Sequence, residues 1–153
     1  MHIFILRDPR ESAAKCSLTR LRGLSRVEFA PYRVGREVHV GERILLHLDG
    51  ELLSPDDAGR DLLLLDCAWR RVPALRATIR GRVHARRLPR LQSAYPRRSK
   101  TFEDPEVGLA SVEALFAACA ILGEPRPELL DGYRWRDAFL RANPELAPFA
   151  RTG

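Results

Sequence analysis

At 153 residues, 45% of them apolar, the chain is long enough for one compact domain or two small ones sharing an interface, and too apolar for a disordered segment. Its net charge of +6 and pI of about 9.9 favour a polyanionic partner. No apolar run reaches the ~18 residues of a membrane span, and the N-terminal run Ile3–Leu6 is too short for a signal peptide, so a soluble, cytoplasmic protein with no membrane partner is expected.

Ile3–Leu6, Ile44–Leu48 and Leu62–Leu65 are short, mostly apolar runs bounded by charged or turn residues. Runs without alternation suit strands buried on both faces, and hence a largely parallel sheet. Val27-Glu28-Phe29 alternates instead and predicts a half-exposed strand. Ser54-Pro55-Asp56-Asp57 predicts a short helix with proline in its first turn, within a crossover between parallel strands. A further, arginine-rich strand is expected within Val83–Leu91. After about Tyr95 the pattern turns helical. Asp104-Pro105 marks a helix start, and Leu109, Val112, Leu115, Phe116, Cys119 and Leu122 recur at helical spacing up to Gly123. Alanines at 110, 114, 117 and 118 fill the remaining surface, so this helix is expected to be buried nearly all round. Pro127–Leu130 predicts a short second helix, and Arg134–Asn143 a third that Pro144 stops. The expected class is α/β, with a sheet-based part over residues 1–92 and a helical part over 93–153.

Between Cys67 and Phe102 there is no Asp or Glu, yet there are eleven basic residues: Arg70, Arg71, Arg76, Arg80, Arg82, Arg86, Arg87, Arg90, Arg97, Arg98 and Lys100. A single-sign block attracts a polyanion, and guanidinium groups match phosphate oxygens bidentately. An idle basic surface is the alternative; nucleic acid is the better reading. The residues expected to contact RNA are Arg70, Arg71, Arg86, Arg87, Arg90, Arg97, Arg98 and Lys100. Cys16, Cys67 and Cys119 form no Cys-x-x-Cys pair, and the four histidines are dispersed. Neither a disulfide framework nor a metal site is expected.

Glycine-rich nucleotide loops and a Gly-x-Ser-x-Gly elbow are absent from the sequence. What remains is Leu64-Leu65-Asp66-Cys67-Ala68-Trp69, which ends a hydrophobic strand in a carboxylate and places an indole three residues later. That is the edge where open α/β sheets bind ligands. A carboxylate and an indole together suit a cation such as the sulfonium of S-adenosylmethionine. The alternative is that Asp66 caps the next turn and Trp69 fills the core. Trp135 and Phe139, at i and i+4, read as core rather than a base-stacking platform, and Glu113 as a cap or an arginine partner rather than a catalyst.

The run Leu65–Trp69 resembles the Asp-Cys-Ser-Trp motif of the aminocarboxypropyltransferases that modify a pseudouridine in small-subunit ribosomal RNA. Further stretches resemble that family in the same order. Lys15-Cys16-Ser17 matches its Lys-Cys-Thr/Ser, Leu53–Asp57 its Leu-Ser-Pro-x-Asp, and Arg86–Pro89 its Arg-Leu-Leu-Pro region. Leu109–Ala114 matches its Leu-Ser-x-x-Glu-Ala helix. Tyr133-Arg134-Trp135, Phe139-Leu140 and Asn143 match its Phe-Lys-Trp-Gly, Phe-Leu and Asn series. The resemblance implies a SPOUT-like fold with a C-terminal trefoil knot. It implies transfer of the 3-amino-3-carboxypropyl group, not the methyl group, from S-adenosylmethionine to a uridine or pseudouridine in RNA.

By the same resemblance, Ser17 would bind the methionyl carboxylate with help from the Ser111 amide, and the Leu65 carbonyl would bind the ribose. Leu45, Trp69, Leu109 and Ala114 would sandwich the adenine, while backbone groups of Leu88 and Val107 read its edge. Trp69 would shield the methyl carbon. Asp66, near the propyl carbon, would take the proton of the attacking ring nitrogen, and an Asn there is expected to leave folding intact. The chain departs from the family at Tyr95–Lys100, in place of an Asn-Pro-Val-Asn-Tyr-Gly loop, at Ala110, in place of a capping serine, and at Leu18, in place of glycine. The expected acceptor is ribosomal RNA or a small-subunit precursor. A related branch with Asp-Thr-Trp modifies transfer RNA, which makes tRNA the alternative. A non-catalytic RNA-binding module and a SPOUT-like methyltransferase are the competing functions.

Overall fold

The computed structural model describes residues 1–11, 17–96 and 109–151. Five strands form one sheet: β1 (Ile3–Arg7), β2 (Val27–Pro31), β3 (Val38–Leu52), β4 (Asp61–Asp66) and β5 (Ile79–Arg87), in the order β2-β1-β4-β3-β5. All the pairings among them are parallel. Helix α1 (Val72–Arg76) links β4 to β5, and α2 (Ser111–Ile121) and α3 (Arg136–Ala142) follow the sheet. Short 3-10 turns occupy Thr19–Leu21, Pro55–Asp57, Trp69–Arg71, Pro127–Leu130 and Pro144–Ala150.

Both faces of the central strands are covered, which is why their sequences are apolar without alternation. Ile3, Ile5, Ile44, Leu62 and Leu64 join the larger core with α2 and α3. Phe4, Leu6, Leu45 and Leu63 join a smaller one with Tyr32, Val40 and Leu75 of α1. The larger core is common to the sheet and the helical part, since Phe116, Leu129, Phe139 and Ala150 pack in it with Ile3 and Ile5. Each fully buried leucine or isoleucine contributes ~1.5–3 kcal/mol. Edge strand β2 keeps Glu28 exposed between half-buried Val27 and Phe29, as its alternation predicts.

β3 and β5 are longer than the sequence suggests, beginning at Val38 and Ile79 rather than Ile44 and Val83. The added residues pair with one another from Val38↔Ile79 onward, and Val38, Val40 and Ile79 pack on the smaller core. Polar and glycine neighbours hide this pattern. The ladder shifts register at His39/Gly41 and Leu46/Glu51, and glycine makes both shifts possible. A Cβ at Gly81 (φ +140) would overlap the Gly41 carbonyl, and one at Gly50 the backbone of Ala85 and Arg86.

Helix α2 buries eight of its eleven residues, as expected of a helix apolar all round. It ends before Gly123, whose φ of +79 suits a helix stop. The predicted start at Asp104-Pro105 lies outside the described residues; described helix begins at Ser111. Helix α3 ends at Ala142, but Pro144 opens a 3-10 run that buries Leu146 and Ala150 instead of ending helical structure. Ser54 and Asp57 close a reciprocal cap around Pro55–Asp57. Among the described residues no helix is long and apolar enough to cross a membrane.

Candidate functional site

β1 and β4 run in register Arg7↔Asp66, so Asp8, Asp66 and the turn carrying Trp69 emerge together at the C-terminal edge. The β3–β4 ladder runs from Arg43↔Asp61 to Leu45↔Leu63, whereas β3 stays with β5 as far as Leu52↔Arg87. β3 and β4 therefore part beside Leu65 and Asp66. A parting of neighbouring strands at this edge is where open parallel sheets accept ligands.

Asp66 is buried, and its Oδ2 accepts from Arg7 Nε at 2.8 Å. Its carbonyl accepts the Asp8 N–H at 2.9 Å. Asp8, also buried, accepts from the Arg10 N–H at 3.1 Å and from Arg71 Nε at 3.2 Å. Each buried carboxylate thus faces a guanidinium, the compensation that buried charge requires. Glu11 is the third carboxylate here. Burial, then the charges of Asp66 and Asp8, raise its pKa above 4.5, against the opposing effects of the Ala68 N–H and Arg7. Burial first, then Asp8, Asp66 and Glu11, push the Cys67 thiol up to about 12, so it is a poor nucleophile at neutral pH. Burial likewise pushes Cys119 up to about 12. Both cysteines are free thiols.

Trp69 opens the 3-10 turn after β4 and is 37% exposed, so it does not fill the core. Asp66 pairs with Arg7 rather than capping that turn. Leu65 is half-buried on the side of the smaller core. Leu45 requires a correction: it is fully buried on that same side with Leu63 and Leu75. Leu109 packs against the opposite core. Alternation along β3 points Leu45 away from α2, and the buried leucine on the α2 side is Leu53, in the core against which Leu88 and Leu109 pack. Ala114 is half-buried on α2, and Ser111 is its first residue. Val107, Lys15 and Cys16 lie outside the described residues.

Ser17 meets the start of α2, where its Oγ accepts the Val112 N–H at 3.3 Å. Ala110 has no side-chain acceptor of its own, so a serine distant in sequence supplies the N-terminal hydroxyl. Glu113 completes the cap by accepting the Ala110 N–H at 2.8 Å. Phe139 is fully buried, and half-buried Trp135 packs edge-on to Tyr95 and Tyr133.

Two arginines expected to contact RNA are committed elsewhere. Arg86 Nε donates to both carboxylate oxygens of buried Asp57 at 3.2 Å, and Arg71 is held by Asp8. Arg70, Arg87 and Arg90 are exposed, while Arg97, Arg98 and Lys100 lie outside the described residues. Exposed Arg22, Arg26, Arg33 and Arg36 flank β2 at the opposite edge of the sheet. The interrupting Glu28 conceals that group from a search for single-sign runs. Glu11 escapes a reading of the sequence because no spacing relates it to Asp66. Among the described residues no group of three or more His, Cys, Asp or Glu could hold a metal ion.

The fold is similar to that of the SAM-dependent rRNA:acp-transferase Tsr3 from Vulcanisaeta distributa. The two share 28% sequence identity with a TM-score of 0.72, over 97% of this chain and 82% of the other. No curated protein matches the sequence significantly. The family model described as "ribosome biogenesis protein, C-terminal" matches residues 43–149, more than half of the chain. This chain belongs to that ribosome biogenesis family.

Proposed function

We propose that the chain transfers the 3-amino-3-carboxypropyl group of S-adenosylmethionine to a ring nitrogen of a uridine or pseudouridine in ribosomal RNA. The observation that carries this reading is the likeness, over nearly the whole chain, to a SAM-dependent rRNA:acp-transferase. The site fits the cofactor. It offers an exposed indole beside buried Asp66 for the sulfonium end, and the amides opening α2, together with Ser17, for the methionyl carboxylate.

When bound, S-adenosylmethionine supplies an activated propyl carbon whose leaving group is methylthioadenosine. Leu53, Leu88, Leu109 and Ala114 would form the apolar wall for adenine. The Leu65 carbonyl would meet the ribose, and backbone groups of Leu88 and Val107 the adenine edge. Trp69 would cover the methyl carbon. Asp66 would accept the ring-nitrogen proton as the carbon–nitrogen bond forms, with Arg7 Nε at 2.8 Å fixing the plane of its carboxylate. Exposed Arg70, Arg87 and Arg90, with Arg97, Arg98 and Lys100, would draw in the RNA.

The finer reading is a SPOUT-like arrangement with a trefoil knot in the C-terminal half, acting in the cytoplasm on a small-subunit precursor. The division at residues 92/93 is proposed as one of function, with cofactor and RNA contacts concentrated in the first part. The test is nucleoside mass spectrometry of ribosomal RNA incubated with the purified chain and S-adenosylmethionine. An added mass of one aminocarboxypropyl group supports the reading, and an added methyl mass replaces it with methyl transfer. RNA binding without any cofactor binding would reduce the chain to a binding module.

A further inference from the structure

Residues 92–94 follow β5 without belonging to a strand or helix, and side chains satisfy their backbone groups. Asn143 accepts the Gln92 N–H at 2.9 Å and donates to the Gln92 carbonyl at 2.8 Å. Glu113 takes the next positions. Its Oε1 accepts the Ser93 hydroxyl at 2.6 Å and the Ala110 N–H at 2.8 Å. Its Oε2 accepts the Ala94 N–H at 3.0 Å and the Tyr133 hydroxyl at 3.2 Å. Glu113 is 0% exposed, so a carboxylate there persists only with its lone pairs engaged.

Each oxygen therefore holds one main-chain amide and one hydroxyl, and three separate segments converge on one group. Two of those segments adjoin the proposed cofactor cleft. The stretch at Ser93-Ala94 follows closely on Leu88, and Ala110 lies between Leu109 and Ser111. The third, at Tyr133, follows the Pro127–Leu130 turn and belongs to the buried core.

We propose that Glu113 is a positioning residue for the cofactor: its carboxylate locks the segment following β5 to the first turn of α2 and so sets the spacing between the two walls of the cleft. This inference rests on the cofactor reading above. Walls held at a fixed spacing before the ligand arrives spare the complex the cost of ordering them. Only a carboxylate serves. If glutamine places its amide nitrogen at the Oε2 position, the Tyr133 hydroxyl can rotate to accept, but the Ala94 N–H is orphaned. If the nitrogen takes the Oε1 position, Ser93 can adapt, but the Ala110 N–H is orphaned. Either way one wall is released.

The experiment compares the full-length parent with Glu113→Gln, Ser93→Ala and Tyr133→Phe. It measures thermal midpoint, calorimetric affinity for S-adenosylmethionine, and cofactor KM against kcat on RNA. Glu113→Gln should raise cofactor Kd and KM about tenfold, as expected for one orphaned buried amide, with kcat at saturating cofactor close to the parent's. Ser93→Ala should raise Kd about threefold by loosening one wall, and lower the midpoint to a similar extent as Tyr133→Phe, since it also removes the hydroxyl that accepts the Tyr95 N–H. Tyr133→Phe removes the donor away from the cleft and should lower the midpoint while leaving Kd unchanged. Parental cofactor affinity in folded Glu113→Gln overturns the proposal. If that variant does not fold, parental affinity in Ser93→Ala overturns it instead. Affinity falling in step with the midpoint in all three variants also overturns it, because the carboxylate would then be structural alone. A parent chain that binds no S-adenosylmethionine removes the cofactor reading itself, and this inference with it.

Discussion

Replacing Asp66 by Asn perturbs stability and chemistry together, because the carboxylate is both a structural partner and the proposed base. The Arg7–Asp66 pair is 2.8 Å long, with side chains only 10% and 9% exposed. Asparagine keeps the shape and a neutral acceptor but removes the charge opposite a buried guanidinium. Deleting one partner of a buried pair costs about 3–5 kcal/mol, and the retained acceptor should reduce that to roughly 2–3 kcal/mol. In a domain of this size each ~1 kcal/mol moves Tm by ~2–4 °C, so the midpoint should fall by roughly 5–10 °C. The sequence alone predicts an intact variant, since nothing in it relates position 7 to position 66. Urea unfolding at pH 7 measures the loss, and a double-mutant cycle with Arg7→Met should assign at least ~1 kcal/mol of it to coupling. The chemical role is read separately, by single-turnover transfer with both ligands saturating at a temperature where both proteins are fully folded. The expected loss there is about 10²–10⁴-fold. Stability within ~0.5 kcal/mol of the parent would refute the ion-pair reasoning. A rate within about threefold would leave catalysis to positioning alone.

Trp69→Ala should weaken S-adenosylmethionine binding about tenfold, in line with a stacked aromatic, with almost no change in Tm because the indole is 37% exposed. Calorimetry that finds parental affinity would return Trp69 to a structural role. Glu11, raised above 4.5 by burial and by Asp66 and Asp8, binds its proton more tightly folded than unfolded, so the stability it contributes falls as pH rises through its folded pKa. Glu11→Gln should therefore raise Tm at pH 7 and lose that advantage below about pH 4; thermal scans showing a less stable variant at pH 7 contradict this. Arg87→Ala with Arg90→Ala should flatten the salt dependence of RNA affinity by about 0.7 for each phosphate that is no longer neutralised, at unchanged Tm. Arg86→Ala should instead cost about 1–2 kcal/mol, because buried Asp57 loses Arg86 but keeps Arg60 Nη1 at 3.1 Å and the Ser54 N–H, and a neutral effect on its unfolding midpoint would show that pair to be dispensable.

How much of the fold can be read from the sequence depends on burial. β1 and β4 are covered on both faces, so their apolar runs give them away, and α2 announces itself through alanines between its larger residues. The start of β3 and of β5 cannot be read this way. Val38, Val40 and Ile79 bury one side only, among Glu37, His39 and Arg80, and the glycines that permit the register shifts look like loop residues. Leu45 shows the limit of carrying a role by sequence position. One residue's shift along a strand exchanges faces, and only the sheet reveals that Leu46 and Leu53, not Leu45, lie on the α2 side.

The charges are harder still, because a sequence displays their order and not their partners. The acid-free block from Cys67 to Phe102 looks like one continuous surface for RNA. Its Arg71 and Arg86 find Asp8 and Asp57, 63 and 29 residues away in the chain, and those pairs are held at strand ends by a parallel topology. Parallel connections return each strand to the same end of the sheet, so residues that follow β1 and β4 gather at one edge however far apart they lie in sequence. The same geometry that removes two arginines from the RNA surface assembles Asp8, Glu11 and Asp66 beside Trp69. Here the elements that build the proposed cofactor site also withdraw part of the charge proposed for its polyanionic acceptor. The exposed arginines of the block that the RNA proposal keeps are Arg70 after β4, Arg87 at the end of β5 and Arg90 beyond it.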